Sequence, residues 1–439
     1  AYHFRHGEDW QRAADYAMGA GAQAVKVYAM SEALEHYEHA YEALRKLAEP
    51  SAEQLCDAIL GWAPAALKLR PYGEVVERLK EAEKIARELE DEARLVQILH
   101  WIANAYISNG FPGRGMPALF ESYQLAEQLG DERLSLEPTF WMTMGMIDRD
   151  PRGGMEQMDN VIEEARKYRR WEIEAHALAT KANAHARLGE FEEAWDAIQR
   201  AHEEVRKTDS LVKQADVALH SSQAFFDMGD VQRGLEYSQR GTKKALTAHG
   251  LECAAAGYYA TGLGNLQARN LEEAQRAFEA ALKLRTDNLP EFQGGSEQLV
   301  NRVHAGLAVA RYFGGDIEAI KDMERTLANA VAVGDDYTVA FIAQALGEAY
   351  TRLGDFERAE RHLNTALDYY RRNDMRPYLA RALQSLAYWY EQQGRDGEAE
   401  QVRTEARRLV EELPSPPVRP INGLSLAPNE PPSASSAER

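Results

Sequence analysis

A stretch near the C-terminal end, Ala345–Leu367, reads ALGEAYTRLGDFERAERHLNTAL, and its pattern returns along the whole chain at an interval of about forty residues. The small residue Ala359 is followed by Leu363 and Ala366, four and seven positions later. Stepping by one period, the same place falls at Ala33, Val75, Gly115, Gly154, Ala194, Gly234, Ala274, Ala319, Ala359 and Ala399. The intervals are 42, 40, 39, 40, 40, 40, 45, 40 and 40 residues. A fixed period of this length implies a stacked array, because one such unit cannot bury its apolar face alone and needs a neighbour.

Each unit has one anatomy. Twelve residues before the anchor stands a small residue in most units: Gly21, Ala63, Ala103, Ala182, Ser222, Gly262, Gly347 and Ala387. Nine before it there is often a bulky one: Tyr106, His185, Phe225, Tyr350 or Tyr390. About five before it comes a breaker: Gly110, Gly189, Gly229, Gly314, Gly354 or Gly394. This predicts a helix, a tight turn with glycine just past the helix end, and a second helix. Small positions allow close approach of the two helices, and bulky ones fill the space between. Leu89-Glu90-Asp91, Leu129-Gly130-Asp131 and Val333-Gly334-Asp335 mark second-helix ends, each with an Asp to cap the next helix. Unit four, with Gly153-Gly154 after Asp150-Pro151, reads as a poor turn. The long interval before Ala319 predicts a loop around Pro290 to Ser296.

The pattern resembles the tetratricopeptide repeat in a longer, forty-residue form, from Asp9 to about Leu413. Units 343–370 and 178–205 carry it best. The resemblance implies an all-α, right-handed superhelical solenoid of about ten hairpins over 1–413, with about twenty helices and no sheet. First helices would line the concave face. Residues 414–439, rich in Pro and Ser, read as an extended or disordered tail. A one-dimensional stack should draw its stability from nearest neighbours only.

The sequence offers no catalytic constellation. Gly262-Leu263-Gly264 lacks the next glycine of a dinucleotide loop, having Gln267, and lies within a helix pattern. There is no phosphate-binding loop, no His-Glu-x-x-His and no Cys-x-x-Cys. His176 and His185, nine apart, are poorly spaced for a metal, and His185 sits at a packing position. Cys56 and Cys253, the only cysteines, read as small core residues of a reducing, cytoplasmic compartment. A net charge of −19 argues against a nucleic-acid surface, and no run of about 18 apolar residues offers a membrane span. The expectation is therefore no enzyme, no cofactor and no metal.

What remains is binding. In the repeat family, groove-facing positions lie eighteen, fifteen, eleven and seven residues before each anchor, where stacking makes no demand. They give Gln97, His100, Asn104, Ser108, Thr139, Thr143, His176, Asn183, Arg187, Asp216, Gln223, Tyr259, Gln267, Asn301 and His304. Amides and hydroxyls of this kind suit the backbone of an extended peptide, a protein segment or a polar small molecule. Lys68 and Arg187 read as isolated charges, a poor match to a carboxylate terminus.

The opening stretch sharpens the resemblance. Ala20, Gly21, Ala24, Tyr28, Ala29, Glu32, Ala33, Tyr37, Glu38 and Ala40 resemble the junction where a helical array begins in signal-transduction NTPases with numerous domains, the STAND class. The chain starts at Ala1 without an initiator Met, which leads to the expectation of a segment from a longer protein. The resemblance implies a sensor arm with a nucleotide-binding domain upstream in cis, and no ATP site in this segment. The alternative is a plain scaffold for assembling protein complexes.

Overall fold

The computed structural model describes residues 9–27, 29–108, 112–147, 150–248, 250–287 and 297–416, and among these it contains twenty helices and no strand. The hairpins pair α1 (Trp10–Lys26) with α2 (Met30–Arg45), α3 (Ala52–Leu69) with α4 (Tyr72–Glu88), and α5 (Glu92–Ser108) with α6 (Pro112–Leu129). Next come α7 (Glu132–Ile147) with α8 (Pro151–Lys167), α9 (Trp171–Leu188) with α10 (Phe191–Val205), and α11 (Leu211–Asp227) with α12 (Val231–Thr247). The last four pair α13 (Leu251–Gln267) with α14 (Leu271–Asp287), α15 (Glu297–Phe313) with α16 (Ala319–Val333), α17 (Asp336–Leu353) with α18 (Phe356–Arg372), and α19 (Arg376–Gln392) with α20 (Asp396–Glu412). The expected all-α solenoid of ten hairpins is present. Tyr28, Gly110, the loop expected around Pro290 to Ser296 and the tail expected beyond residue 416 lie outside the described residues.

The repeat grammar has direct physical counterparts. All ten anchors are buried. At the small positions the next helix presses close. A Cβ on Gly262 would lie 2.5 Å from a ring carbon of Phe278, and one on Gly347 would lie 2.6 Å from Leu363. Gly189 and Gly354 end α9 and α17 with φ of +85° and +74°, a left-handed turn that any Cβ would strain. In unit eight the left-handed residue is Gly315, one position after the expected Gly314. Asp91, Asp335 and Asp355 cap α5, α17 and α18 by accepting the backbone N–H three residues on.

Unit four is better built than its sequence suggests. Asp150 accepts the N–H of Gly153 at 3.0 Å, and Pro151 occupies the first helical position. A Cβ on Gly154 would come within 2.9 Å of the Ile147 backbone nitrogen. The glycine pair is a requirement of close packing.

Successive first helices touch one another along the array, α9 with α11, α11 with α13 and α17 with α19, whereas second helices make no comparable approach among the described residues. First helices therefore form the inner wall. The coil also closes on itself, since α9 packs on α19 five units away. Leu413, just after α20, lies against Gly189, and Arg152 bridges Glu190 (2.9 Å) and Asp374 (3.3 Å). Lys68 meets Glu252 at 3.7 Å in the same way. The stack is thus not purely one-dimensional, and Lys68 is not isolated. Cys56 is buried and Cys253 half-buried, both as free thiols. No helix among the described residues is long and apolar enough to cross a membrane.

Candidate binding groove

The inner wall gathers the groove positions into three groups. In the first, α5 presents Gln97 and His100 beside Glu137 and Arg170, around a cavity of about 260 Å³. His100 is buried, with its Nε2 3.5 Å from Glu137 Oε2. Burial lowers its pKa, outweighing the pull of Glu137. Arg170 in turn pairs with Glu137 and Glu172.

The second group lies in the middle. His176 Nδ1 stands 3.3 Å from Asp216 Oδ2, and His220 Nδ1 stands 3.8 Å from Asp216 Oδ1. The two imidazoles meet edge to face at 4.7 Å, and Phe140 packs on His176 at 5.1 Å. Burial brings the His176 pKa down to about 4, against the attraction of Asp216. Burial works to raise the Asp216 pKa, but His176, His220, Lys213 and Lys68 together lower it.

The third group forms where the coil closes. A cavity of about 240 Å³ opens between α11, α13, α15, α17, α18 and α19, lined by Gln223, Asp227, Gln267, Tyr337, Gln344 and Arg381 among others. Asp227 is nearly buried, yet carries a carboxyl group. It accepts from Gln223 Nε2 at 2.8 Å and from the Tyr378 hydroxyl. Tyr378 also shares a 3.1 Å hydrogen bond with Tyr337. Burial raises the Asp227 pKa, opposed by Arg187 and by Tyr378. Arg187, read as isolated, has its Nε 3.7 Å from Asp227 and its guanidinium 5.1 Å over the Tyr337 ring. Arg381 stacks on Tyr378 at 4.5 Å, and Arg269 on Phe313 at 5.4 Å.

The other groove positions are less open than their spacing suggests. Thr143 and Asn183 are buried, with Thr143 Oγ1 and Asn183 Oδ1 lacking a hydrogen-bond partner. Thr139 turns back to the Ser135 carbonyl at 2.7 Å. Tyr259 packs on Phe278. Asn104 and Asn301 are half-buried and His304 exposed, outside the three groups. The side chain of Ser108 lies outside the described part. Gln267 donates to the Phe226 carbonyl at 3.1 Å. Sequence reasoning stopped the groove at unit eight. The same offsets in units six, nine and ten give Asp227, Phe341, Gln344, Glu348 and Arg381, all lining the third cavity. A larger cleft of about 610 Å³ lies among helix ends, with Met30, Lys68, Val212 and Leu251 on its walls. Of the groove offsets it holds only Lys26 and Lys68, with no side-chain amide beside them, so the third cavity is the stronger candidate.

Two family models match the sequence. One, described as tetratricopeptide repeat, matches residues 300–372. The other, described as anaphase-promoting complex subunit 5, matches three stretches, 15–106, 157–225 and 346–415. A model that returns three times in one chain is matching the repeated hairpin, not one protein's whole length. No curated protein matches the sequence. Among solved structures, a Rap protein complexed with competence and sporulation factor is 12% identical over 91% of this chain and 98% of its own, with a TM-score of 0.49. The quorum sensor NprR from B. thuringiensis is 14% identical over 81% of this chain and 98% of its own, at 0.49. The STAND protein PH0952 from Pyrococcus horikoshii, with a tetratricopeptide-repeat sensor, is 16% identical over 87% of this chain and 54% of its own, at 0.40. Likenesses this loose say nothing of a ligand.

Proposed function

We propose that this array of tetratricopeptide-type hairpins is a non-catalytic sensor module whose concave groove binds a short peptide where units six and seven face units nine and ten. The observation that carries this reading is the third cavity. It combines amides at Gln223, Gln267 and Gln344, aromatic walls at Phe313, Phe341 and Tyr370, and guanidinium groups at Arg269 and Arg381. Amides satisfy a peptide backbone, aromatic walls take an apolar side chain, and guanidinium groups take a carboxylate. The closure of the coil places both walls within reach of one ligand, so occupancy would hold the two halves together. In the finer reading the array is the sensor arm of a STAND-type NTPase, and this closure is what the upstream domain would feel. The support for that is the junction-like series from Ala20 to Ala40.

The test is a calorimetric screen of short peptide pools, followed by the binding peptide on Gln223→Ala and Arg381→Ala. Each lost hydrogen bond should weaken binding by about 0.5–1.5 kcal/mol, and more for the charged group. Binding by both variants as tight as wild type would move the site elsewhere, and a small-molecule ligand with no peptide bound would correct the ligand class.

A further inference from the structure

We propose that His176, Asp216 and His220 form a binding site for a divalent transition-metal ion, represented by Zn²⁺. The donor set is two imidazoles and one carboxylate. Imidazole suits Zn²⁺, Cu²⁺ or Ni²⁺, whereas Mg²⁺ and Ca²⁺ prefer oxygen shells. Three protein ligands leave a fourth tetrahedral position for water or for a group on a ligand in the groove.

The geometry is close to what such an ion needs. One ligand atom from each residue lies within 4.8 Å of the other two. A tetrahedral ion with bonds of about 2.1 Å holds its ligands roughly 3.4 Å apart. His176 Nδ1 and Asp216 Oδ2 are already 3.3 Å apart, and a ring nitrogen of His220 completes the group within 4.8 Å. The remaining adjustment is a side-chain rotation. Asp216 and His220 sit one turn apart on α11, and His176 projects from neighbouring α9, so two packed helices fix the triad.

Two details add to the spacing. His220 Nδ1 lies 3.0 Å from the Asp216 backbone carbonyl. A proton donated there leaves the Nε2 lone pair free, the outer-shell contact that sets the tautomer of a ligating imidazole. His176 Nε2 is buried without a hydrogen-bond partner. A buried polar nitrogen left unpaired calls for an explanation, and a water or a group of the groove ligand admitted with the ion would satisfy it. The cations acting on Asp216, Lys213 on its own helix and Lys68 from across the groove, oppose a metal ion. Cys253 faces the same carboxylate. The fold does not need the metal as a staple, so this would be an exchangeable site that places an ion on the ligand-binding wall.

The test is calorimetric titration of the chelator-stripped protein with Zn²⁺, with Mg²⁺ as the comparison, and the visible spectrum of the Co²⁺ form. Wild type should take up one equivalent of Zn²⁺ far more tightly than Mg²⁺ and give the intense Co²⁺ bands of low coordination. His220→Ala and Asp216→Asn should each weaken Zn²⁺ binding by about tenfold or more, with helicity unchanged by circular dichroism. Absence of Zn²⁺ uptake by wild type, or equal affinity in a folded variant, would overturn the proposal. Should one variant unfold, the other decides. A weak octahedral Co²⁺ spectrum from wild type would likewise count against it.

Discussion

Replacing Tyr378 by Phe tests whether the closed coil is held by its inner polar contact. The hydroxyl donates to Asp227 across the groove and accepts from the Tyr337 hydroxyl. Asp227 is 4% exposed, and without that hydroxyl it keeps Gln223 as a donor at 2.8 Å and Arg187 as an ion partner at 3.7 Å. Losing a hydrogen bond to a buried charged acceptor costs about 1.5–3 kcal/mol, against about 0.5–1.5 kcal/mol for a neutral one. The sign of the pH dependence follows. Burial holds the folded pKa of Asp227 above its ordinary value of 3.8, so the stability linked to its proton is full below that value and is lost as pH rises through the folded pKa. Tyr378 opposes the shift, so the Phe variant should carry a still higher pKa. Its deficit should be small in acid and grow to about 2 kcal/mol at pH 7. Urea unfolding followed by circular dichroism at pH 4 and pH 7 measures both values, and hydrogen exchange in α19 reports where the loosening occurs. A variant as stable as wild type at pH 7, or a deficit that does not change with pH, would refute the reasoning.

Two further outcomes separate packing from charge. Arg302 makes paired bonds of 2.8 and 2.9 Å to nearly buried Asp335, which overcome the effect of burial and hold its pKa at about 2; this support is present above the ordinary value and is lost as pH falls toward about 2. Arg302→Ala should therefore cost about 3 kcal/mol in urea melts at pH 7 and progressively less below pH ~4. Phe278 is wedged between Gly262 and Gly306, each of whose added Cβ would come within 2.5 Å of the ring. Gly262→Ala should destabilise by about 1–3 kcal/mol in the same melts, while Gly145→Ala, where nothing lies within 4 Å, should stabilise by up to ~1 kcal/mol. Equal effects at the two glycines would contradict the packing account.

The period, the anchors and the caps were legible because each depends on residues a few positions apart. Ala359, Gly354 and Asp355 specify a buried contact, a left-handed turn and a cap without reference to the rest of the chain. The same local logic was present in unit four, where Asp150-Pro151 is a cap followed by a first-turn proline, but the glycine pair behind it looked like weakness. What local reasoning could not supply is closure. Small rotations add from one hairpin to the next, and only their sum brings α9 against α19 and Leu413 against Gly189.

That sum also decides which groove residues become a site. The offsets found Arg187, Gln223 and Gln267, and carried further they reach Asp227, Gln344 and Arg381. They could not find Tyr337 and Tyr378, which enter from the first turns of α17 and α19 and meet Asp227 only because the coil returns upon itself. They also missed His220. Its spacing from Asp216 is an ordinary helical turn, and His176 lies forty residues before Asp216. Along a single helix His176 could be compared only with His185, a poor metal spacing, and His185 sits 2.7 Å from Glu190 at the turn. In a solenoid the informative separation is one full repeat, since that is the distance at which inner-wall side chains of adjacent units stand side by side. His176 and Asp216 are one repeat apart, as are Arg187 and Asp227, and in both cases the residues one repeat apart are partners in the groove.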